Sequence, residues 1–288
     1  MAADRGSIQG AASNARIRVE ARGAPSCLRL TVCARSLEGW MEILERGGTP
    51  NGDQNSAGPG PLRAEWPAGC TVRTETAGDR TYLLISGRTG AATHHISLGV
   101  QGDAPWVEVH ELLVSDEAAP PAEAPLVEWF EAVWRFVDWR EPGEVFTPLL
   151  VPLRDDVIGR HALRSPALTA QSAGRAAAVV GNPDLMAKEQ ALPACMGFVR
   201  EHGTPVLRTG LRGHVPRGHV YFTHVPGQGA RQPRFYHAYY LWVAARAADG
   251  AALDAANRLL WTRHGSRLSR QAVPLPQSFE EYARQAYP

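Results

Sequence analysis

Aromatic rings and proton-carrying side chains are the chemistry this 288-residue sequence offers. Residues 126–140, LVEWFEAVWRFVDWR, hold Trp129, Trp134 and Trp139, followed directly by Arg140. Ring faces flanked by polar groups suit a sugar cleft, where the rings stack and the polar groups take the hydroxyls. These four residues are the candidate ligand contacts. Such rings more often cover a sheet or fill a domain boundary, and both uses stay open here. A second group, His161, Arg164, His219 and Tyr221, lies where His, Arg and Tyr are dense. Within hydrogen-bond reach of one another, these would make the acid–base site of a hydrolase or lyase.

Spacing argues against the remaining candidates. His94 and His95 are adjacent, so in a strand they point to opposite faces and chelate poorly. His219 and His224 are separated by an odd number, with the same result. His214 shares a face with His224 only without the turn that Pro216, Arg217 and Gly218 signal. No metal site is expected from them. Cys27, Cys33, Cys70 and Cys195 lack the CxxC or CxxH spacing of a zinc site. Cys27 and Cys33 fall in one expected strand, roughly 20 Å apart, too far to bridge. The acid pairs Asp155-Asp156 and Glu280-Glu281 have general acid–base chemistry, but adjacent carboxylates in turns and tails are usually just solvated. The sequence contains no GxSxG, P-loop, GxGxxG-after-strand, HExxH or EF-hand pattern. No cofactor is expected.

Composition narrows the partners. Thirty basic and 29 acidic side chains leave a net charge of +1, without the basic surplus of a nucleic-acid binder. Lys188 is the only lysine; arginine suits anionic ligands, although compositional bias explains the imbalance as well. The N-terminus lacks a signal-peptide apolar run, and no stretch approaches the roughly 20 apolar residues of a membrane span. The expectation is a cytoplasmic protein that touches neither nucleic acid nor membrane.

The elements that must position these residues read mostly as strands. Ile17, Val19 and Ala21 alternate with Arg16, Arg18, Glu20 and Arg22; Leu28, Leu30, Val32 and Ala34 repeat the pattern after a turn at 23–26. Period two with one polar face marks a half-buried antiparallel strand. Residues 70–78, 80–89, 93–100 and 106–114 continue at the spacing of a sandwich, as do 145–153, 161–182, 219–225 and 234–246. Residues 47–69 are dense in Gly, Pro, Asn and Asp and read as an exposed loop, and 116–125 as a linker. In the aromatic arm, Leu126, Phe130, Val133, Trp134 and Val137 fit helical spacing, predicting a short helix or an irregular arm. From Asp249, a reasonable N-cap, Leu253, Ala256, Asn257, Leu260, Trp261 and His264 share an arc of about 140°, with Gly265 placed to end the helix.

The strings WREPGEVFTPLLVPLRDDVIGRHALRSPAL (139–168), GHVYFTHVP, WTRHG and PLPQSFEEYA together resemble the N-terminal β-sandwich region of large bacterial carbohydrate-active enzymes. The resemblance covers the last 160 residues or so, by general texture and not by a diagnostic motif. In those enzymes a sandwich precedes an (α/α) toroid, joined to it by a linker helix. It implies that Asp249–His264 is that linker and that Phe279–Pro288 leads into a toroid helix. No catalytic residue carries over, since that group's acid and base belong largely to the helical domain.

The expected fold is mainly β: a large antiparallel β-sandwich with a short aromatic arm and one C-terminal amphipathic helix. The expected division is a flexible tail at 1–14, a sandwich at 15–248, and a linker helix and tail at 249–288. Three functions follow: a sandwich module that supports or binds a glycan without chemistry of its own, a self-contained hydrolase or lyase using the His/Arg/Tyr group, or an interaction protein. In the third, the terminal segment 266–288 docks on a partner subunit or on a second copy of the chain; as partners, a missing helical domain or self-association through 249–288 is expected.

Overall fold

The computed structural model describes residues 8–47, 68–89, 92–115, 129–146, 167–181, 195–201, 204–212, 220–224 and 231–259. The chain opens with four strands: β1 (Ile8–Ser13), β2 (Ile17–Arg22), β3 (Arg29–Ser36) and β4 (Gly39–Gly47). Four longer ones follow: β5 (Ala68–Ala77), β6 (Arg80–Thr89), β7 (Ala92–Gln101) and β8 (Trp106–Ser115). Then come β9 (Trp129–Phe136), β10 (Gly143–Phe146), β11 (Ala167–Ser172) and β12 (Arg175–Gly181). The last are β13 (Cys195–Glu201), β14 (Thr204–Arg212), β15 (Val220–His224) and β16 (Arg231–Ala245), before a helix, α1, at 251–259.

Among the described residues these strands form two antiparallel sheets. Seven run in the order β1-β2-β3-β4-β9-β14-β13. Nine form the second, in the order β10-β11-β12-β16-β8-β7-β6-β5, with β15 also paired to β16. The expected antiparallel sandwich is present. Its core follows from alternation: Ile17, Val19, Leu30, Val32 and Phe136 of one sheet are buried with Leu83, Ile85, Leu98, Val109 and Leu241 of the other. Each of these strands turns its odd or its even side chains inward, and the sheets stack on those faces.

Three elements differ from the sequence reading. Residues 8–13 form strand β1 inside the expected tail. Gly10 lets β1 approach the second sheet, since a Cβ there would sit 2.8 Å from Val72 Cγ1 and 3.0 Å from Leu83 Cδ1. The aromatic arm is not helical over its described part: β9 sends Ala132, Trp134 and Phe136 into the core and pairs with β14 and β4. The helix α1 turns a different face inward than expected. Ala252, Ala256 and Leu259 are buried while Asn257 is exposed, because the alanines let α1 settle onto Tyr240, Ala178 and Val180 of the nine-stranded sheet. It starts at Ala251, directly after Gly250, whose φ of 75 suits only glycine readily. The described part of α1 therefore packs on the sandwich. None of the helices described is long and apolar enough to cross a membrane.

Candidate functional site

The strands β7, β8 and β16 lie side by side in the nine-stranded sheet and carry polar groups on both faces. On the inner face, Val107, Val109, Glu111 and Leu113 share one parity, so Glu111 is drawn into the sandwich by its apolar neighbours. There its carboxylate receives two bonds from Arg46 of β4, at 2.5 and 3.0 Å. His94 Nε2 lies 2.9 Å away, and the Tyr239 hydroxyl donates at 2.7 Å. Trp134 Nε1–H donates to the Tyr239 oxygen at 2.9 Å. The two sheets are thus joined through the core by one polar network: Arg46 and Trp134 from the first, His94, Glu111 and Tyr239 from the second.

Charge follows from this geometry. Burial alone would raise the Glu111 carboxyl, but the Arg46 charge and the hydrogen bonds from His94 and Arg46 outweigh it and hold the group well below the carboxylate range. Burial and the neighbouring Glu111 charge push the Tyr239 phenol well above its ordinary value. Tyr239 therefore stays neutral and donating while Glu111 stays ionised. The chemistry looks catalytic, but His94, Glu111, Tyr239 and Trp134 are all fully buried. A ligand has no face of this network to touch. It bridges the two sheets through the core.

The outer face of the same strands is accessible. Glu108 and His110 stand two apart on β8, and Tyr236 lies diagonally across on β16, where Ala238 opposes His110. Diagonal neighbours are roughly 7–8 Å apart, within reach of long side chains. His110 bonds at both ends: Nε2 is 3.2 Å from Glu108 Oε1 and Nδ1 is 2.5 Å from the Tyr236 hydroxyl. The two rings stack with centroids 5.8 Å apart and planes 20° from parallel. The His110 and Glu108 side chains keep 32% and 23% of their exposure. Arg80 Nη1 reaches Glu108 Oε2 at 3.4 Å. One row along, Ser86 Oγ and His95 Nδ1 are 2.7 Å apart, on exposed surface. Leu112 lies between the two groups, opposite His95 on one side and Tyr236 on the other. Beyond Glu108, Trp106, Trp242 and Tyr240 form a wall packed with α1.

Charges on the outer face of the seven-stranded sheet neutralise one another instead. Arg29 meets Glu42 and Glu45, each at 3.0 Å; Arg22 meets Glu20; and Arg135 meets Glu45 at 3.4 Å.

The candidates taken from sequence that fall among the described residues lie in different places. Trp134 is sealed in the core network. Trp139 is half-buried: it meets Phe136 edge-on, donates to Glu141 at 3.0 Å and lies so close to Gly143 that a Cβ there would be 2.2 Å from its ring. Arg140 is exposed, with its backbone N–H on Ser172 Oγ at 2.8 Å. Trp129 stands opposite Arg212 and Tyr221 opposite Arg234 in their ladders. His161, Arg164 and His219 lie outside the described residues, as do both acid pairs and the segment 260–288. As their adjacency requires, His94 points inward and His95 outward. Among the described residues no group of three His, Cys, Asp or Glu has the arrangement of a metal site. Glu108, Glu111 and Arg46 went unremarked in the sequence, although Glu111 and His94 carried a signal: each is a polar residue at an apolar parity.

No family model and no curated protein matches the chain. Several solved structures are similar in outline. A TPR-domain containing protein from Parabacteroides distasonis is 9% identical with a TM-score of 0.42; the match covers 81% of this chain and 48% of that one. This chain thus spans about half its length. A galactose mutarotase related enzyme from Lactobacillus acidophilus is 8% identical, TM-score 0.44, over 83% of this chain and 98% of that one. A Synechocystis protein is 13% identical, TM-score 0.40, over 85% and 97%. Likenesses of this depth transfer neither an activity nor a ligand.

Proposed function

We propose that this protein binds a carbohydrate on the outer face of its nine-stranded sheet, over Leu112 and between Ser86–His95 and Glu108–His110–Tyr236. The observation that carries the reading is the accessible His110, fixed at both ring nitrogens and stacked on Tyr236. A sugar needs rigid ring faces and donor–acceptor groups whose directions are already set, and this chain of contacts provides both. An overall charge near neutral suits a polyhydroxylated ligand better than a polyanion.

The test is retention on a panel of immobilised neutral and acidic glycans, comparing the native chain with Tyr236→Ala and Arg140→Ala. Retention lost in the first and kept in the second supports the sheet face over the arm. The reading fails if the native chain retains no glycan, or if Tyr236→Ala binds normally.

A second reading rests on the same three residues. Glu108, His110 and Tyr236 follow the logic by which a carboxylate orients an imidazole and the imidazole takes or returns a hydroxyl proton. On a bound sugar this would make Tyr236 an acid–base group. Turnover that is lost in both His110→Ala and Tyr236→Phe would move the protein from binding module to enzyme.

A further inference from the structure

The strand β5 stands at one edge of the nine-stranded sheet. Its hairpin with β6 closes through Gly78 and Asp79, between Ala77 and Arg80, which face each other in the ladder. In a two-residue hairpin that flanking pair exchanges both backbone bonds, and bonded and non-bonded pairs alternate from there. Ala77, Glu75, Arg73 and Thr71 therefore direct their main-chain groups to β6. Val72, Thr74 and Thr76 direct theirs to the outer edge, where no strand lies alongside among the described residues. Cys70 keeps the same parity, and its N–H is taken by the Pro25 carbonyl at 3.0 Å. The open stretch thus runs from Val72 to Thr76. Strand β1 backs it from inside: Thr74 Oγ1 donates to the Ala11 carbonyl at 3.3 Å, and Gly10 leaves room for Val72.

The side chains of this edge are their own complement. Arg73 and Glu75 share the outer face, one on each side of Thr74, with side chains 73% and 53% exposed. They bridge each other at 3.2 Å. When β5 is laid antiparallel on a second copy about a two-fold axis at Thr74, Arg73 falls opposite the partner's Glu75. Glu75 then falls opposite the partner's Arg73. Thr74 meets the partner's Thr74, and Val72 meets the partner's Thr76, as the bonded pairs. The charges fall at the non-bonded pairs, where side chains lie closest. Opposite charges stabilise a ladder there and like charges disrupt it. An axis at Val72 sets Glu75 against Gly69, and one at Thr76 sets it against Ala77, so only Thr74 pairs both charges.

We infer that β5 is a self-association edge, through which two copies of this chain pair antiparallel about Thr74. Strand addition takes its affinity from the main chain and its selectivity from the side chains. Edges protected against pairing carry proline, a bulge or inward charges. Residues 72–76 have no proline and no bulge, and their two charges are opposite in sign and face outward. The axis stands perpendicular to the sheet, so the outer faces of both copies lie on one side of a continuous sheet. None of these residues belongs to the carbohydrate face, and the inference stands without that reading.

The experiment compares full-length native chain with Arg73→Glu, Glu75→Arg and the double variant by sedimentation equilibrium. Salt is kept at about 0.05 M, where exposed charges are weakly screened. The native chain should show a reversible monomer–dimer equilibrium. Either single reversal sets like charges opposite each other at both symmetric pairs, and should weaken the dimer about tenfold or more. An equimolar mixture of the two single variants should associate again, since each supplies the sign the other lacks. The double variant should also recover the dimer. Both positions are exposed, so thermal melts should stay close to native, which separates lost pairing from lost folding. A native chain that remains monomeric at millimolar concentration overturns the inference. So does a dimer unmoved by either reversal, or one that neither the mixture nor the double variant restores.

Discussion

The two faces of β7, β8 and β16 present the same kinds of side chain and reach opposite outcomes. Inside, Glu111, His94 and Tyr239 surround a guanidinium without solvent; outside, Glu108, His110 and Tyr236 form a chain with water alongside. The residues are sequence neighbours: His94 beside His95, His110 beside Glu111, Tyr236 beside His237. What separates structure from candidate function is the parity of a strand. A buried carboxylate must be satisfied completely or it destabilises the fold, and both Glu111 oxygens are engaged, by Arg46 and Tyr239 at one and by Arg46 and His94 at the other. Exposure lets the outer set exchange a partner for a ligand.

The largest expected effect would break the inner set. Glu111→Gln keeps the shape but leaves Arg46 charged and buried without its counter-ion, a change that costs about 3–5 kcal/mol. Urea unfolding should show it directly. Exchanging both partners for apolar residues, Arg46→Met with Glu111→Leu, should be less harmful than Glu111→Gln alone. If Glu111→Gln unfolds at the native midpoint, the network is not what holds the sheets together.

Acid should reach the same group without mutation. The folded Glu111 carboxyl lies far below its ordinary value of 4.5, so the unfolded chain binds its proton first. The stabilisation is therefore fully present above about pH 4.5 and declines as pH falls below it. Urea midpoints should drop between pH 5 and pH 3 in the native chain, and less steeply in Glu111→Gln. Equal slopes would mean that other carboxylates set the acid limit.

Tyr239→Phe should cost about 1–3 kcal/mol, since it removes a donor to Glu111 and leaves Trp134 Nε1–H unanswered in the core. The matching change outside, Tyr236→Phe, should leave stability within about 0.5 kcal/mol. Thermal melts of the pair measure the contrast in one experiment. Comparable losses would mean that Tyr236 also supports the fold.

Much of this arrangement was legible in the chain, for a definite reason. The strands β2 and β7 show alternation because one side of each faces the apolar core, burying Ile17, Val19 and Ala21 in β2 and Ile96, Leu98 and Val100 in β7, so period two survives in the sequence. The arm failed that test: Val133 and Trp134 are neighbours on opposite faces of β9, and apolar residues on both faces imitate helical spacing. In α1, Ala252 and Ala256 carry the packing, and alanine is too weakly apolar to mark a face against Leu253. The inner network could have been found, since Glu111 interrupts the parity of Val107, Val109 and Leu113. The outer chain could not. Tyr236 comes near His110 only through the register of β16 on β8, and nothing local fixes that register across more than a hundred residues.

His94 and His95 separate the two faces most sharply, because they are adjacent residues. His94→Ala removes a buried hydrogen bond to Glu111 and leaves a cavity, so it should destabilise by about 2–3 kcal/mol. His95→Ala removes an exposed contact to Ser86, where water replaces the partner, and should stay within about 0.5 kcal/mol. The backbone, the strand and the residue type are common to both, leaving only the direction of the side chain. A cost for His95→Ala as large as that for His94→Ala would mean that the outer face is itself part of the packed structure, and the site proposed there would have no room for a ligand.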